Sequence, residues 1–216
     1  GRGMILTNQT RWATTDREAL YTVPFGYDSD ERVVTGQIQA YQRENDSLSN
    51  LTSLTTLFLT GNLEHSLSAG LELTREQSDA LRFGTTNLDP VPVLDPDPRR
   101  LVATMPEAVQ SASVDIDTIA LYAYDTIKFS DRWQLTGGLR AERYKVEIDS
   151  RALVDDAPQG PDGYRLSDNT ISGKLGLVYK PVENGSVYAA LGITALPPGS
   201  WLSNPDISRT GDNAFP

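Results

Sequence analysis

His65 is the single histidine of the chain, and cysteine is absent. Most side-chain chemistry goes with them. One imidazole cannot build a metal site unaided, and the serines have no other histidine to act as their base. A hydrogen-bonding role for His65, just after a tight turn, is the stronger reading. The run Asp89-Pro90-Val91-Pro92-Val93-Leu94-Asp95-Pro96-Asp97-Pro98 offers hard carboxylate oxygens of the kind calcium takes. It lacks the ligand spacing and turn glycine of a calcium loop and reads better as a proline-rich extended connection. Gly84, Gly173 and Gly176 make no phosphate cradle, because none opens a helix after a strand. No constellation forms an active site, so the expectation is a protein that is not an enzyme, with no resident cofactor or metal.

The formal charge of the 216 residues is -10, and its location is more informative than its size. Residues 15–46 hold 7 acids against 3 bases, 76–113 hold 6 against 3, 149–168 hold 5 against 2, and 195–216 hold 2 against 1. The remainder is nearly neutral. Acidity therefore sits in four stretches that read as connections, which argues against a nucleic-acid partner, since that requires clustered Lys and Arg.

Between those stretches the sequence alternates with period two. Trp133, Leu135, Gly137, Leu139 and Ala141 share one face, while Gln134, Thr136, Gly138, Arg140 and Glu142 share the other. The same grammar recurs in His65, Leu67, Ala69, Leu71 and Leu73 against Ser66, Ser68, Gly70, Glu72 and Thr74, and again from Ile171 to Lys180. The fold class is all-β and antiparallel, with about seven strands near 3–14, 36–60, 65–75, 115–128, 133–147, 169–180 and 186–194. Tight turns near 60–64, 129–133 and 181–185 alternate with long connections, the asymmetry of a transmembrane β-barrel with short periplasmic turns and long extracellular loops. Phe129, Trp133 and Tyr179 fall beside the short turns, where an aromatic girdle would lie. In the strand before Phe129 the parity is ambiguous. A carboxylate facing hydrocarbon is costly, so the reading favours Asp125 toward the lumen and Tyr122 and Tyr124 toward lipid.

Three segments carry a family resemblance: Thr60–Leu73; Leu121–Leu135 running into Gly138-Leu139-Arg140-Ala141-Glu142-Arg143-Tyr144; and Ile171–Pro181 leading to Ser186-Val187-Tyr188-Ala189-Ala190. In order and spacing the chain resembles the barrel of TonB-dependent siderophore receptors, in wording closest to the catecholate type. It departs at Ala141, where an aromatic is common, and at Lys174, where Arg is frequent. The resemblance implies an outer-membrane receptor and transporter for a ferric siderophore, energised through TonB by way of a plug domain. Such barrels have about 22 strands, so residues 1–216 are expected to be a portion, with plug domain and C-terminal strands absent. It also implies ligand-binding roles for Arg82, Arg99, Arg100, Tyr164 and Trp201, where guanidinium and aromatic groups suit an anionic catecholate. Lumen or plug-facing positions are Asp125, Arg140, Glu142 and Lys174. Two other readings stay open: a passive porin-like barrel, and a soluble β-sandwich binding module whose apolar face packs on a second sheet.

Overall fold

The computed structural model describes residues 3–96, 104–155 and 163–195. Seven long strands form one antiparallel sheet: β1 (Met4–Asp28), β2 (Val33–Thr60), β3 (Leu63–Phe83), β6 (Ala108–Lys128), β7 (Trp133–Ala152), β8 (Tyr164–Val182) and β9 (Gly185–Ile193). Each pairs with the next in chain order. Two short strands, β4 (Thr86–Asn87) and β5 (Val91–Pro92), fold back from the β3–β6 connection onto β2. The sheet curls as a half-barrel, and no helix occurs among the described residues.

The alternating patterns become strands because each leaves one side greasy and the other hydrogen-bonding, and the turns supply the reversal. Gly61 takes φ 62 in the two-residue loop between β2 and β3, the left-handed position that favours glycine in such hairpins. The connections Thr60–Leu63, Lys128–Trp133 and Val182–Gly185 lie at one end of the sheet, and Phe83–Ala108 and Ala152–Tyr164 at the other.

One acidic stretch is not a loop at all. Residues 15–46 were expected to connect two strands, yet β1 and β2 continue through them in unbroken register from Met4↔Thr56 to Pro24↔Gly36 and close on the turn at 29–32. The Asp28 carboxylate holds that turn by accepting the backbone N–H groups of Asp30 at 2.8 Å and Glu31 at 3.0 Å. Likewise β3 and β6 extend into 76–83 and 108–113, and β7 and β8 into 149–152 and 164–168. These strands are 19 to 28 residues long, whereas crossing a bilayer takes about 9–11. Strands of this length outrun the thickness of a bilayer.

The two halves differ in which face is apolar. Low on the strands the outward side chains are greasy and exposed: Leu121 61%, Leu139 64%, Ile171 67% and Leu191 78%. From Trp133 to Ala141 this band runs about 27 Å along β7 at ~3.3 Å per residue, the scale of the ~25 Å apolar belt of an outer-membrane barrel. Higher up, the outward positions are Arg143, Lys145, Glu147, Asp149 and Arg151, and the inward ones form an apolar cluster of Ala112, Val114, Tyr144, Val146 and Ile148.

Candidate functional site on the inner wall

The register fixes which side chains share the inner face. Arg140 lies opposite Tyr122 on β6 and Ser172 on β8, and Tyr122 lies opposite Gly70 on β3. Around it is an ionic lattice. The Arg140 Nη1 donates to Glu72 Oε2 at 2.7 Å, its Nε donates to Glu142 Oε2 at 2.8 Å, and Thr170 Oγ1 donates to Glu142 Oε1 at 2.9 Å. A guanidinium with two carboxylates leaves this patch with a net negative charge. Below it two tyrosine rings lie flat on glycines. A Cβ on Gly70 would come within 2.7 Å of the Tyr122 ring, and one on Gly138 would overlap Tyr124. Lys174 Nζ sits 4.8 Å from the Tyr124 ring centroid, a cation–π distance. Arg140, Glu142 and Lys174 are therefore gathered on one wall.

Asp125 is not with them. It pairs with Leu67 and Gly137, on the apolar outward face, and Tyr122 and Tyr124 point inward. The expectation for this strand is inverted. Asp125 is tolerated outside because Nδ1 of His65 lies 2.6 Å from its Oδ2, and the His65 ring stacks on Phe58 at 4.6 Å. One carboxylate oxygen is thus met by a side chain sixty residues away in the chain, while Asp125 Oδ1 and His65 Nε2 are buried with no hydrogen-bond partner among the described residues. Trp133 and Tyr179 stack at 4.4 Å beside the short turns, on the same outward face.

Farther up the inner face the charge changes sign. Arg17, Arg43, Ala80, Ala112 and Ser150 form one cross-strand row, and Ala19, Tyr41, Arg82, Gln110 and Ala152 the next. Together they bring three arginines and no carboxylate to this level. A depression of about 880 Å³ crosses five strands at this height, and acids share its lining: Asp16, Glu18, Glu44, Asp79 and Asp149 lie beside Arg17, Arg43 and the outward Arg151. Arg43 is only 8% exposed. Its Nε has no hydrogen-bond partner among the described residues, and its Cζ lies 5.6 Å from the Tyr41 ring centroid. Burial lowers its pKa, the neighbouring Tyr41 acts to raise it, and Arg17 lowers it further. A guanidinium stays charged even so.

Of the residues singled out in the sequence, Arg82 lies on this upper wall, half-buried and engaged by neighbours. Tyr164 does not sit in a loop: it opens β8 opposite Ile148 and packs against the apolar cluster. Arg99, Arg100 and Trp201 lie outside the described residues. Sequence reasoning missed Arg17, in the stretch taken for a connection, and Tyr41 and Arg43, where that stretch overlaps the strand read at 36–60. Their signal was present: Gln37, Gln39, Tyr41 and Arg43 alternate with Ile38, Ala40 and Gln42.

An antiparallel sheet greasy outside and polar inside across a membrane-sized height, with water-facing strands above it, defines a wall of an outer-membrane-type β-barrel. More specifically, the chain belongs to the TonB dependent receptor-like β-barrel family, whose model matches residues 4–214. It is 28% identical over 218 residues to the catecholate siderophore receptor Fiu of Escherichia coli K12, covering 90% of this chain and 29% of that one. It is 30% identical over 214 residues, with the same coverage, to the probable TonB-dependent receptor BfrD of Bordetella pertussis. The open crystal form of the ferric-catecholate import receptor Fiu superposes with a TM-score of 0.71 at 27% identity, over 90% of this chain and 33% of that one. BauA, the ferric preacinetobactin receptor of Acinetobacter baumannii, shares the fold with a TM-score of 0.63 at 19% identity, over 86% and 27%. The chain thus spans about three tenths of the curated relatives it matches. This membership sets aside the β-sandwich and porin-like readings.

Proposed function

We propose that residues 4–193 are a contiguous stretch of wall in an outer-membrane receptor that takes up a ferric siderophore, of catecholate type, and is not an enzyme. The observation that carries this is the division of the inner face: two cross-strand rows that gather Arg17, Arg43, Tyr41 and Arg82 above, and the Glu72–Arg140–Glu142 lattice below. The upper patch suits an anionic ligand entering from outside, since guanidinium supplies both charge and planar donors. The lower lattice suits a polar body seated in the lumen, the plug domain through which TonB would act. The names of Fiu and its structure support the same cargo chemistry. Iron here is cargo, held by the siderophore, and the wall supplies no ligand to it.

The test is iron uptake by a strain lacking its own catecholate receptors, complemented with the complete reading frame that carries this chain. Uptake of radiolabelled iron presented as a ferric tris-catecholate is expected, and it should vanish when TonB is deleted. Uptake that persists without TonB, or that never rises above the empty vector, would overturn the reading.

A further inference from the structure

On the outward face each strand leaves the apolar band at one residue: Leu73 gives way to Arg75 on β3, Ile119 to Asp117 on β6, Ala141 to Arg143 on β7 and Ile171 to Asn169 on β8. Nearly every cation just above that edge is matched by an acid. Arg75 Nε lies 4.0 Å from Asp117 Oδ1, Lys145 contacts Glu147, and Arg165 Nε lies 3.5 Å from the other oxygen of Glu147. Arg143 is the exception. Its register neighbours are Ile119 and Asn169, its neighbours along the face are Ala141 and Lys145, and it has no ion pair or hydrogen bond among the described residues. At these levels of β3, β6, β7 and β8 the outward charges are Arg75, Arg143, Lys145 and Arg165 against Asp115, Asp117 and Glu147, so one positive charge is left over, and Arg143 is the cation without a partner among the described residues.

We propose that Arg143, with Lys145 beside it and the Asn169 amide across the strand gap, holds the phosphate of an outer-leaflet lipid headgroup. Depth and charge both select this occupant. The exposed Arg143 stands one outward position above Ala141, and a lipid phosphate lies at that edge of the hydrocarbon. A guanidinium offers it paired donors, and the three-carbon stem can lie along Ala141 and Ile119 while the head stays at the interface. This inference needs the membrane reading and not the identity of the cargo.

The complete receptor carrying this chain, in detergent, would be titrated with diphosphoryl lipid A and with its dephosphorylated form, and bound lipid counted by native mass spectrometry. Arg143→Gln should weaken the diphosphoryl lipid about fivefold, Arg143→Lys less than twofold, and Arg32→Gln, in the distant β1–β2 turn, not at all. The dephosphorylated lipid should bind wild type and Arg143→Gln alike. Equal binding of the diphosphoryl lipid by wild type and Arg143→Gln would overturn the proposal, as would equal loss of both lipids. Competition by inorganic phosphate as effective as that by the lipid would overturn the lipid assignment.

Discussion

Leu139 and Val146 lie on the same strand, seven residues apart, and on opposite faces. Leu139 points outward and is 64% exposed, whereas Val146 points inward and is 1% exposed. Each is where an aliphatic side chain should be, because the two halves of the strand meet different solvents. Low on the wall the outside is lipid and the inside is wet, so leucines go out and Arg140 goes in. High on β6 and β7 water surrounds the sheet and the strands must make their own core, so Val114, Tyr144, Val146 and Ile148 go in while Arg143, Lys145 and Glu147 go out. Hydrophobic periodicity is thus continuous through the strand while its meaning reverses.

The comparison breaks most sharply at the buried end. Val146→Asp places an uncompensated charge in the upper cluster, and a cost of about 3–5 kcal/mol is expected, by analogy with buried unpaired charges. The upper strands should become sensitive to protease while the membrane band survives. Leu139→Arg tests the other half. A lipid-facing arginine costs ~2–4 kcal/mol at the bilayer midplane, so the denaturant midpoint in lipid vesicles should fall, while Lys145→Leu above the band should change it little.

The outward His65–Asp125 pair sharpens the same contrast. Asp125→Leu alone should destabilise by about 2–4 kcal/mol, since it strands a ring nitrogen next to hydrocarbon. The double change His65→Leu with Asp125→Leu should recover most of that loss, and a double variant as unstable as the single one would count against the pair's protective role. Gly138→Ala is expected to cost about 1–3 kcal/mol by overpacking against Tyr124, read from unfolding in urea, and Tyr124→Ser in the same background should relieve it.

The smallest effect belongs to the β1–β2 turn. Two backbone N–H groups, from Glu31 and then Asp30, hold the Asp28 carboxyl below its ordinary pKa. A depressed acid stabilises above its unfolded pKa and loses that contribution as pH falls through the folded one. Amide exchange at Asp30 and Glu31 should therefore quicken only under acid, below the usual aspartate range, and Asp28→Ala should make it fast at neutral pH.

Much of this wall was legible because side-chain period is a local property. The hairpin from Asp117 to Lys145, the inward placement of Arg140, Glu142 and Lys174, and the aromatic pair Trp133 and Tyr179 all follow from counting by two. What failed depended on something nonlocal. Asp125 was assigned by the cost of a lone carboxylate in lipid, and only the fold reveals that His65 sits beside it. Residues 15–46, apart from their overlap with the strand read at 36–60, were taken for a connection because acids concentrate there. Strands that outrun the membrane can carry such acids into water, and Arg17, Tyr41 and Arg43 then become visible as wall residues.

The reversal of faces also fixes the height at which the wall floats. Raising the sheet by one outward position would lift Leu73, Ile119, Ala141 and Ile171 into water, and lowering it would drag Arg75, Asp117 and Arg143 into hydrocarbon. Near the interface each charge costs only ~0–1 kcal/mol, but the strands must move together, so the penalties add. Four strands carrying the same waterline act as a keel. Whatever pulls on this wall from inside can tilt or strain it more easily than it can shift it along the membrane normal.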